Sequence, residues 1–200
     1  MIRGFWYWVL FCIARFGLFF YHPVLHVEGR ENVPQDGRYL ICANHRGYAD
    51  PLWIIISLGI RRVPRVLAKK EALSYFFVGW VLRKVGVIGV DRGGTDVHAI
   101  KECIRCLRDD QQLLIFPEGT TVTPGTPVVP KRGAMLLAHR TDSPILPVYL
   151  SIHRRPFGPM TCVIGKPYKP EFSDKRPSEQ QLDEAVRDLM DRIYEMGGGL

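Results

Sequence analysis

Two hundred residues, 46% hydrophobic and 24% charged, make one globular domain or one domain with an appendage, and exclude wholesale disorder and a multi-span membrane protein. A chain of this length buries roughly 70% of its unfolded surface, so it needs neither disulfides nor a metal to hold a core. The net charge of +7 calls for anionic partners, and it is unevenly spread: Glu171–Glu195 carries 8 acids and 4 bases, leaving 23 bases against 12 acids before it.

Residues Gly4–Tyr21 read GFWYWVLFCIARFGLFFY, with Arg15 as the only charge. No small-x-small cleavage site follows, which argues against a signal peptide. Arg15 interrupts the run short of the about 20 apolar residues a spanning helix needs. The remaining expectation is a helix lying in one leaflet, with Trp6, Tyr7, Trp8 and Tyr21 at headgroup depth and Arg15 snorkelling to phosphate. A buried helix fits less well, because the segment is apolar on nearly every face. Residues 1–22 are therefore read as a membrane-anchoring segment and 23–200 as the folded domain.

Beyond it, strands and helices alternate. Val24–Glu28 and Tyr39–Ala43 read as short strands separated by the turn Pro34-Gln35-Asp36-Gly37. Leu52–Leu58 predicts a buried helix, Arg65–Ala68 a strand, Glu71–Lys84 a helix and Gly86–Asp91 a strand. Thr95 is the expected cap of a helix reaching about Arg108, with Val97, Ile100, Ile104 and Leu107 at helical spacing. Leu113–Phe116 predicts a strand, Arg132–Arg140 a helix, and Ile145–Leu150 and Thr161–Gly165 two further strands. Ser178 starts a last, acidic helix that ends at Gly197-Gly198-Gly199. The alternation predicts an α/β fold, a mixed twisted sheet flanked by helices, preceded by the membrane-associated helix.

Two features carry less chemistry than they suggest. Cys103 and Cys106 form a C-x-x-C, but inside a helical pattern and without a second pair to complete a zinc site; with Cys12, Cys42 and Cys162 they read as reduced thiols among apolar neighbours. Between Arg61 and Arg92, eight cations (Arg61, Arg62, Arg65, Lys69, Lys70, Arg83, Lys84, Arg92) face only Glu71 and Asp91, next to Tyr75, Phe76, Phe77 and Trp80. Singly these are solvated side chains; together they suit anionic lipid. No nucleic-acid-binding pattern accompanies them.

The chemistry is concentrated in Ala43-Asn44-His45-Arg46-Gly47-Tyr48-Ala49-Asp50-Pro51. A strand ends in a polar loop, and Asp50-Pro51 opens a helix, Asp as its cap and Pro in its first turn. On one continuous helix a spacing of five would set His45 and Asp50 about 140° apart. A loop between strand and helix lets the imidazole fold back onto the carboxylate. A histidine so held is a general base of fixed tautomer. There is no G-x-S-x-G elbow and no cysteine in a nucleophile's setting, so the base acts directly on a substrate hydroxyl.

The motif N-H-x-x-x-x-D-P carrying His45 and Asp50 resembles the first motif of the glycerolipid acyltransferases, typified by 1-acyl-sn-glycerol-3-phosphate acyltransferase. Gly79-Trp80 and Gly86-Val87-Ile88-Gly89-Val90-Asp91-Arg92 resemble the second motif, and Phe116-Pro117-Glu118-Gly119-Thr120 the third. Lys131-Arg132-Gly133-Ala134 with Pro144-Ile145-Leu146-Pro147-Val148 resembles the fourth, and Ile164-Gly165-Lys166-Pro167 the closing strand. Gly47 stands where the family often has Ser, and Thr121 where it usually has Arg; Lys131 or Arg132 is the candidate replacement cation.

The resemblance implies that His45, oriented by Asp50, deprotonates the free sn-2 hydroxyl of 1-acyl-sn-glycerol 3-phosphate as it attacks an acyl thioester, giving phosphatidic acid. Arg92, Glu118, Gly119, Thr120 and Lys131 would bind the acceptor. Acyl-CoA or acyl-ACP is the implied co-substrate, with no metal or other cofactor, no acyl-enzyme and no nucleic-acid partner. The implied location is the cytoplasmic face of the cell membrane. Glycerol 3-phosphate or another lysophospholipid as acceptor, and a non-catalytic lipid-surface scaffold, are the alternatives.

Overall fold

Strand Tyr39–Ala43 is buried along its whole length, and its side chains divide by parity. Leu40 and Cys42 enter one core; Tyr39, Ile41 and Ala43 enter another. Side chains alternate between faces with period two, so a strand apolar at every position needs cover on both sides. A computed structural model describes residues 2–59, 63–91, 96–123, 126–152, 154–155 and 157–198 and shows how that cover is built.

The elements are, in chain order, α1 (Ile2–Tyr21), β1 (Leu25–Glu28), β2 (Tyr39–Ala43), α2 (Asp50–Leu58), β3 (Arg65–Lys69), α3 (Phe76–Lys84), β4 (Ile88–Val90), α4 (Val97–Arg108), β5 (Gln112–Ile115), α5 (Gly133–Thr141), β6 (Ile145–Leu150), β7 (Met160–Ile164) and α6 (Glu179–Glu195). The strands form one seven-stranded sheet in the order β1-β7-β6-β2-β5-β3-β4. Only the β6–β7 pair is antiparallel. This is the expected mixed α/β architecture. On one face, Cys103 and Leu107 of α4, Met135 of α5, and Leu189 and Ile193 of α6 pack on Leu40, Leu113 and Ile145. On the other, Trp53 and Ile54 of α2 and Leu18 of α1 pack with Ile41, Leu114, Leu146 and Val148.

Three local expectations are corrected. Glu71–Lys84 is not one helix: a 3-10 turn, Lys70–Leu73, precedes α3. The chain doubles back so tightly that a Cβ on Gly79 would lie 2.0 Å from the Leu73 carbonyl oxygen, and Arg83 donates to that same carbonyl at 2.6 Å. Only glycine permits such an approach. Thr95 lies outside the described residues, and α4 is capped by Asp96, whose carboxylate accepts the Ala99 N–H at 2.9 Å. Asp50 is the first residue of α2, and its carboxylate does not cap the helix. Ser178 and Gln181 do form a reciprocal capping box at the start of α6.

The end of α1 is tied to the body. Leu18 is buried, and the carbonyl of Tyr21 accepts the Phe157 N–H at 2.9 Å. His22 is fully buried, 2.9 Å from the Gly158 carbonyl and edge-on to Trp53. Trp8, Ile13, Phe16, Phe19, Phe20 and Tyr21, in contrast, are each at least half exposed. No helix among the described residues is long and apolar enough to cross a membrane. Cys42, Cys103, Cys106 and Cys162 are buried and form no disulfide, and burial pushes the Cys103 thiol up to about 12, far from a reactive thiolate.

Candidate active site

Strands β2, β5 and β6 run parallel, so the loops leaving their C-terminal ends emerge at one edge of the sheet, where open α/β sheets bind ligands. The register pairs Cys42 with Ile115. Counting three residues onward on each strand brings His45 level with Glu118. There the Glu118 carboxylate accepts the His45 backbone N–H at 2.6 Å, and the His45 carbonyl accepts the Val122 N–H at 2.8 Å. The Phe116 ring stacks on the imidazole at 4.1 Å between centroids. On the opposite side of β2, Asn44 exchanges two 2.8 Å hydrogen bonds with the backbone of Leu150. The residue before His45 thus locks the end of β2 to β6, and the 116–122 loop locks it to β5.

The loop between His45 and Asp50 folds the ring back as its spacing predicts. Nδ1 lies 2.9 Å from Oδ2 of Asp50, which is completely buried. The same oxygen accepts the backbone N–H groups of Arg46 at 2.6 Å and Gly47 at 2.8 Å. Asp50 therefore shapes the loop that presents His45 and does not serve the helix it begins. The other oxygen, Oδ1, accepts from Arg154, beyond the end of β6, at 2.5 Å. Burial, the largest single influence, works to raise the Asp50 pKa; the bond to His45, the Arg154 charge and the Gly47 N–H outweigh it and hold the carboxyl below its ordinary value. With Nδ1 engaged by a carboxylate, the imidazole carries its proton there. Nε2 has no protein partner among the described residues and is free to accept one.

Glu118 occupies a second buried position. One oxygen takes the His45 N–H and the other takes the hydroxyl of Tyr194, from the last turns of α6. Desolvation raises its pKa, and those two hydrogen bonds offset only part of the rise. Tyr194 also accepts from Arg46 at 3.1 Å, and that guanidinium lies over the Tyr194 ring while donating to the Val122 carbonyl. Gly119 makes the sharp turn after Glu118: its φ is +69°, its N–H reaches the Phe116 carbonyl, and a Cβ there would lie 3.4 Å from Cγ of Lys131. Lys131, exposed, is anchored through its backbone N–H to Pro117, and Thr120 is exposed on the same turn. Arg132, by contrast, pairs with Glu179 and Asp183 of α6 at 2.7 and 3.3 Å. Arg92 lies outside the described residues. Among the described residues no three His, Cys, Asp or Glu side chains converge to hold a metal ion.

The structure therefore brings together His45, Asp50, Glu118, Gly119 and Lys131, and adds three residues to which the sequence alone assigns no role. Arg154 and Tyr194 lie 104 and 76 residues from the partners they hold, Asp50 and Glu118, and no spacing rule links them. Asn44 is visible as part of the first motif, but its role depends on which strand lies beside β2.

The acyltransferase family model matches residues 24–151, more than half of the chain and all of β1 through β6. The chain belongs to the acyltransferase family. Similar proteins include the 1-acyl-sn-glycerol-3-phosphate acyltransferase of Bacillus subtilis, 30% identical over 85% of this chain and 86% of that protein. The human 1-acyl-sn-glycerol-3-phosphate acyltransferase alpha is 32% identical over 65% of this chain but only 46% of its own length. Among solved structures, the 1-acyl-sn-glycerophosphate acyltransferase PlsC from Thermotoga maritima matches with a TM-score of 0.66 and 28% identity, over 88% of this chain and 73% of that one. The part of this acyltransferase matched by the family model thus includes β1 through β6 and the loops that carry His45, Asp50 and Glu118.

Proposed function

We propose that this acyltransferase moves a fatty acyl group from an acyl thioester to the sn-2 hydroxyl of 1-acyl-sn-glycerol 3-phosphate, giving phosphatidic acid. The observation that carries the reading is the His45–Asp50 pair, with Nδ1 fixed by a buried carboxylate and Nε2 without a partner among the described residues, at the edge where the parallel strands end. The names of the relatives support the choice of acceptor.

In this mechanism Nε2 takes the hydroxyl proton as the oxygen attacks the thioester carbonyl. The imidazolium that forms is stabilised by Asp50. Collapse of the tetrahedral intermediate breaks the carbon–sulfur bond, and the proton passes from His45 to the departing thiol of coenzyme A or acyl carrier protein. No acyl-enzyme, metal or other cofactor enters the scheme. Lys131 and Arg92 contact the acceptor phosphate, and Gly119 and Thr120 shape the turn beside it. Glu118, with both oxygens engaged inside the protein, acts by holding the His45 loop in place.

The acceptor is a membrane lipid, and the exposed aromatic side chains of α1 suit residues 1–22 as an interfacial anchor for the body formed by 23–200. Tyr75 and Phe76, 67% and 95% exposed beside Lys69, Lys70, Arg83 and Lys84, add a basic aromatic surface fit for the anionic cytoplasmic leaflet. The test is an acceptor panel of lysophosphatidic acid, glycerol 3-phosphate and other lysophospholipids, with one acyl-CoA and one acyl-ACP, read by mass spectrometry. Phosphatidic acid formed preferentially from lysophosphatidic acid is the expected result. A preference for another acceptor overturns the substrate assignment, and no transfer to any acceptor leaves the scaffold alternative.

A further inference from the structure

The two oxygens of Asp50 are used very differently. Oδ2 collects three N–H donors from its own loop, whereas Oδ1 is given over to one guanidinium from across the sheet. Arg154 is itself only 15% exposed and is set in position by the strand edge: its Nε donates to the Ser151 carbonyl at 2.7 Å, and Ser151 is paired through its N–H to the Thr161 carbonyl at 3.0 Å. Its Nη2 is buried with no partner among the described residues, and Asp50 and Ser151 hold the group through Nη1 and Nε. Gly47 lies beside the pair: a Cβ there would sit in ordinary van der Waals contact with Nη1 of Arg154, at 3.6 Å, and Oδ1 of Asp50, at 3.9 Å.

We propose that Arg154 is the positioning residue of the His45–Asp50 pair: by taking Oδ1 it aims Oδ2 at the imidazole and keeps His45 in the unprotonated form that accepts the substrate proton. A buried carboxylate attracts whatever cation is nearest. Without Arg154 that cation is the imidazole, and protonated His45 is no base. With Arg154 in place the carboxylate is already compensated, so it orients the ring without charging it. Among the described residues, the other charged or titratable groups around the ring are Glu118 from the loop after β5, Arg46 in the ring's own loop and Tyr194 from α6. Glu118, Arg46 and Tyr194 bond to one another or to backbone, and none touches Asp50 through its side chain. Among the described residues, Arg154 is the one charged side chain that couples to the ring through the carboxylate.

The inference rests on the acid–base reading of His45. Its test is the pH profile of kcat/KM for the full chain in mixed micelles, with Arg154→Met, Arg154→Gln and Arg154→Lys, the fold of each checked by circular dichroism. Both neutral variants should move the acid limb up by about one pH unit, costing tenfold or more on that limb and much less at the alkaline plateau. Arg154→Lys, which keeps the charge and loses the bond to Ser151, should leave the limb in place. The His45 ring, assigned by loss of its NMR signal in His45→Gln, should show the same displacement of its titration midpoint. That readout needs no turnover, so an inactive wild-type protein would refute the acyl-transfer reading while still testing Arg154. A rate lowered by one factor at every pH, with the midpoint unmoved in whichever neutral variant folds, overturns the proposal. So does an equal displacement in Arg154→Lys.

Discussion

Replacing Asp50 with asparagine separates two ways of losing a catalytic carboxylate. The amide has one acceptor oxygen and one NH2, and the surroundings decide which goes where. With its oxygen at the Oδ2 position, the asparagine keeps all three donors, His45 Nδ1 and the N–H groups of Arg46 and Gly47, and opposes a donor only at Arg154. Flipped, it opposes three donors to satisfy one. The first orientation wins, so the histidine tautomer is preserved and the loss comes from charge alone. A charge-assisted hydrogen bond becomes a neutral one, worth about 1–2 kcal/mol, and the guanidinium, no longer neutralised, opposes the imidazolium by a similar amount. Together they lower kcat by roughly thirtyfold to 10³-fold, less than the about 10⁴ expected where the tautomer flips. Stability falls as well, by about 3 kcal/mol for a broken buried pair whose cation keeps slight exposure. Asp50→Asn combined with Arg154→Met removes the stranded charge, and should recover about tenfold in kcat and most of the lost Tm relative to Asp50→Asn alone. The assay is single-substrate-saturated acyl transfer with thermal unfolding on the same preparations. A loss of 10⁴ or more that the second substitution does not relieve would refute the orientation argument, and near-normal turnover in Asp50→Asn would refute the acid–base role altogether.

Other outcomes follow from the same geometry. Lys131→Ala and Arg92→Ala should each raise KM for lysophosphatidic acid by about thirtyfold, the loss of a charge-assisted phosphate contact, with little change in KM for the thioester; equal effects on both substrates would remove that residue from the phosphate site. Burial raises Glu118, so the folded chain keeps its proton where the unfolded chain has lost it, and this group's contribution to stability declines as pH rises from 4.5 through its folded pKa. Glu118→Gln cannot titrate, so the Tm of wild type minus variant should fall across that window and then level off; a rising difference contradicts the assignment. Full-length protein should stay on anionic vesicles in high salt, whereas protein lacking residues 1–22 should bind in a salt-sensitive way and lose activity on vesicles more than on detergent-dispersed lysolipid. Release of the full-length protein by salt alone would dispose of the anchor.

Local chemistry made much of this molecule legible from the sequence. Period-two and helical spacing located the strands and helices to within a few residues, Ser178 marked the start of the last helix, and the five-residue spacing from His45 to Asp50 required a loop that could close the two side chains together. Where the expected helix rules failed, a specific contact had prevailed: Gly79 against the Leu73 carbonyl broke a continuous helical pattern, and the nearby Arg46 and Gly47 amides together with the distant Arg154 drew the Asp50 carboxylate away from the helix it was expected to cap. The surroundings of the pair were decided by strand order. Hydrophobic periodicity says that β2 is buried on both faces but not that β5 and β6 flank it. That neighbourhood puts Glu118 level with His45, joins Asn44 to Leu150 and brings Arg154 to Asp50. Tyr194 arrives because α6 packs across that face of the sheet. A sequence pattern records which way a side chain faces; only the folded sheet sets which residue, a hundred positions away, it meets.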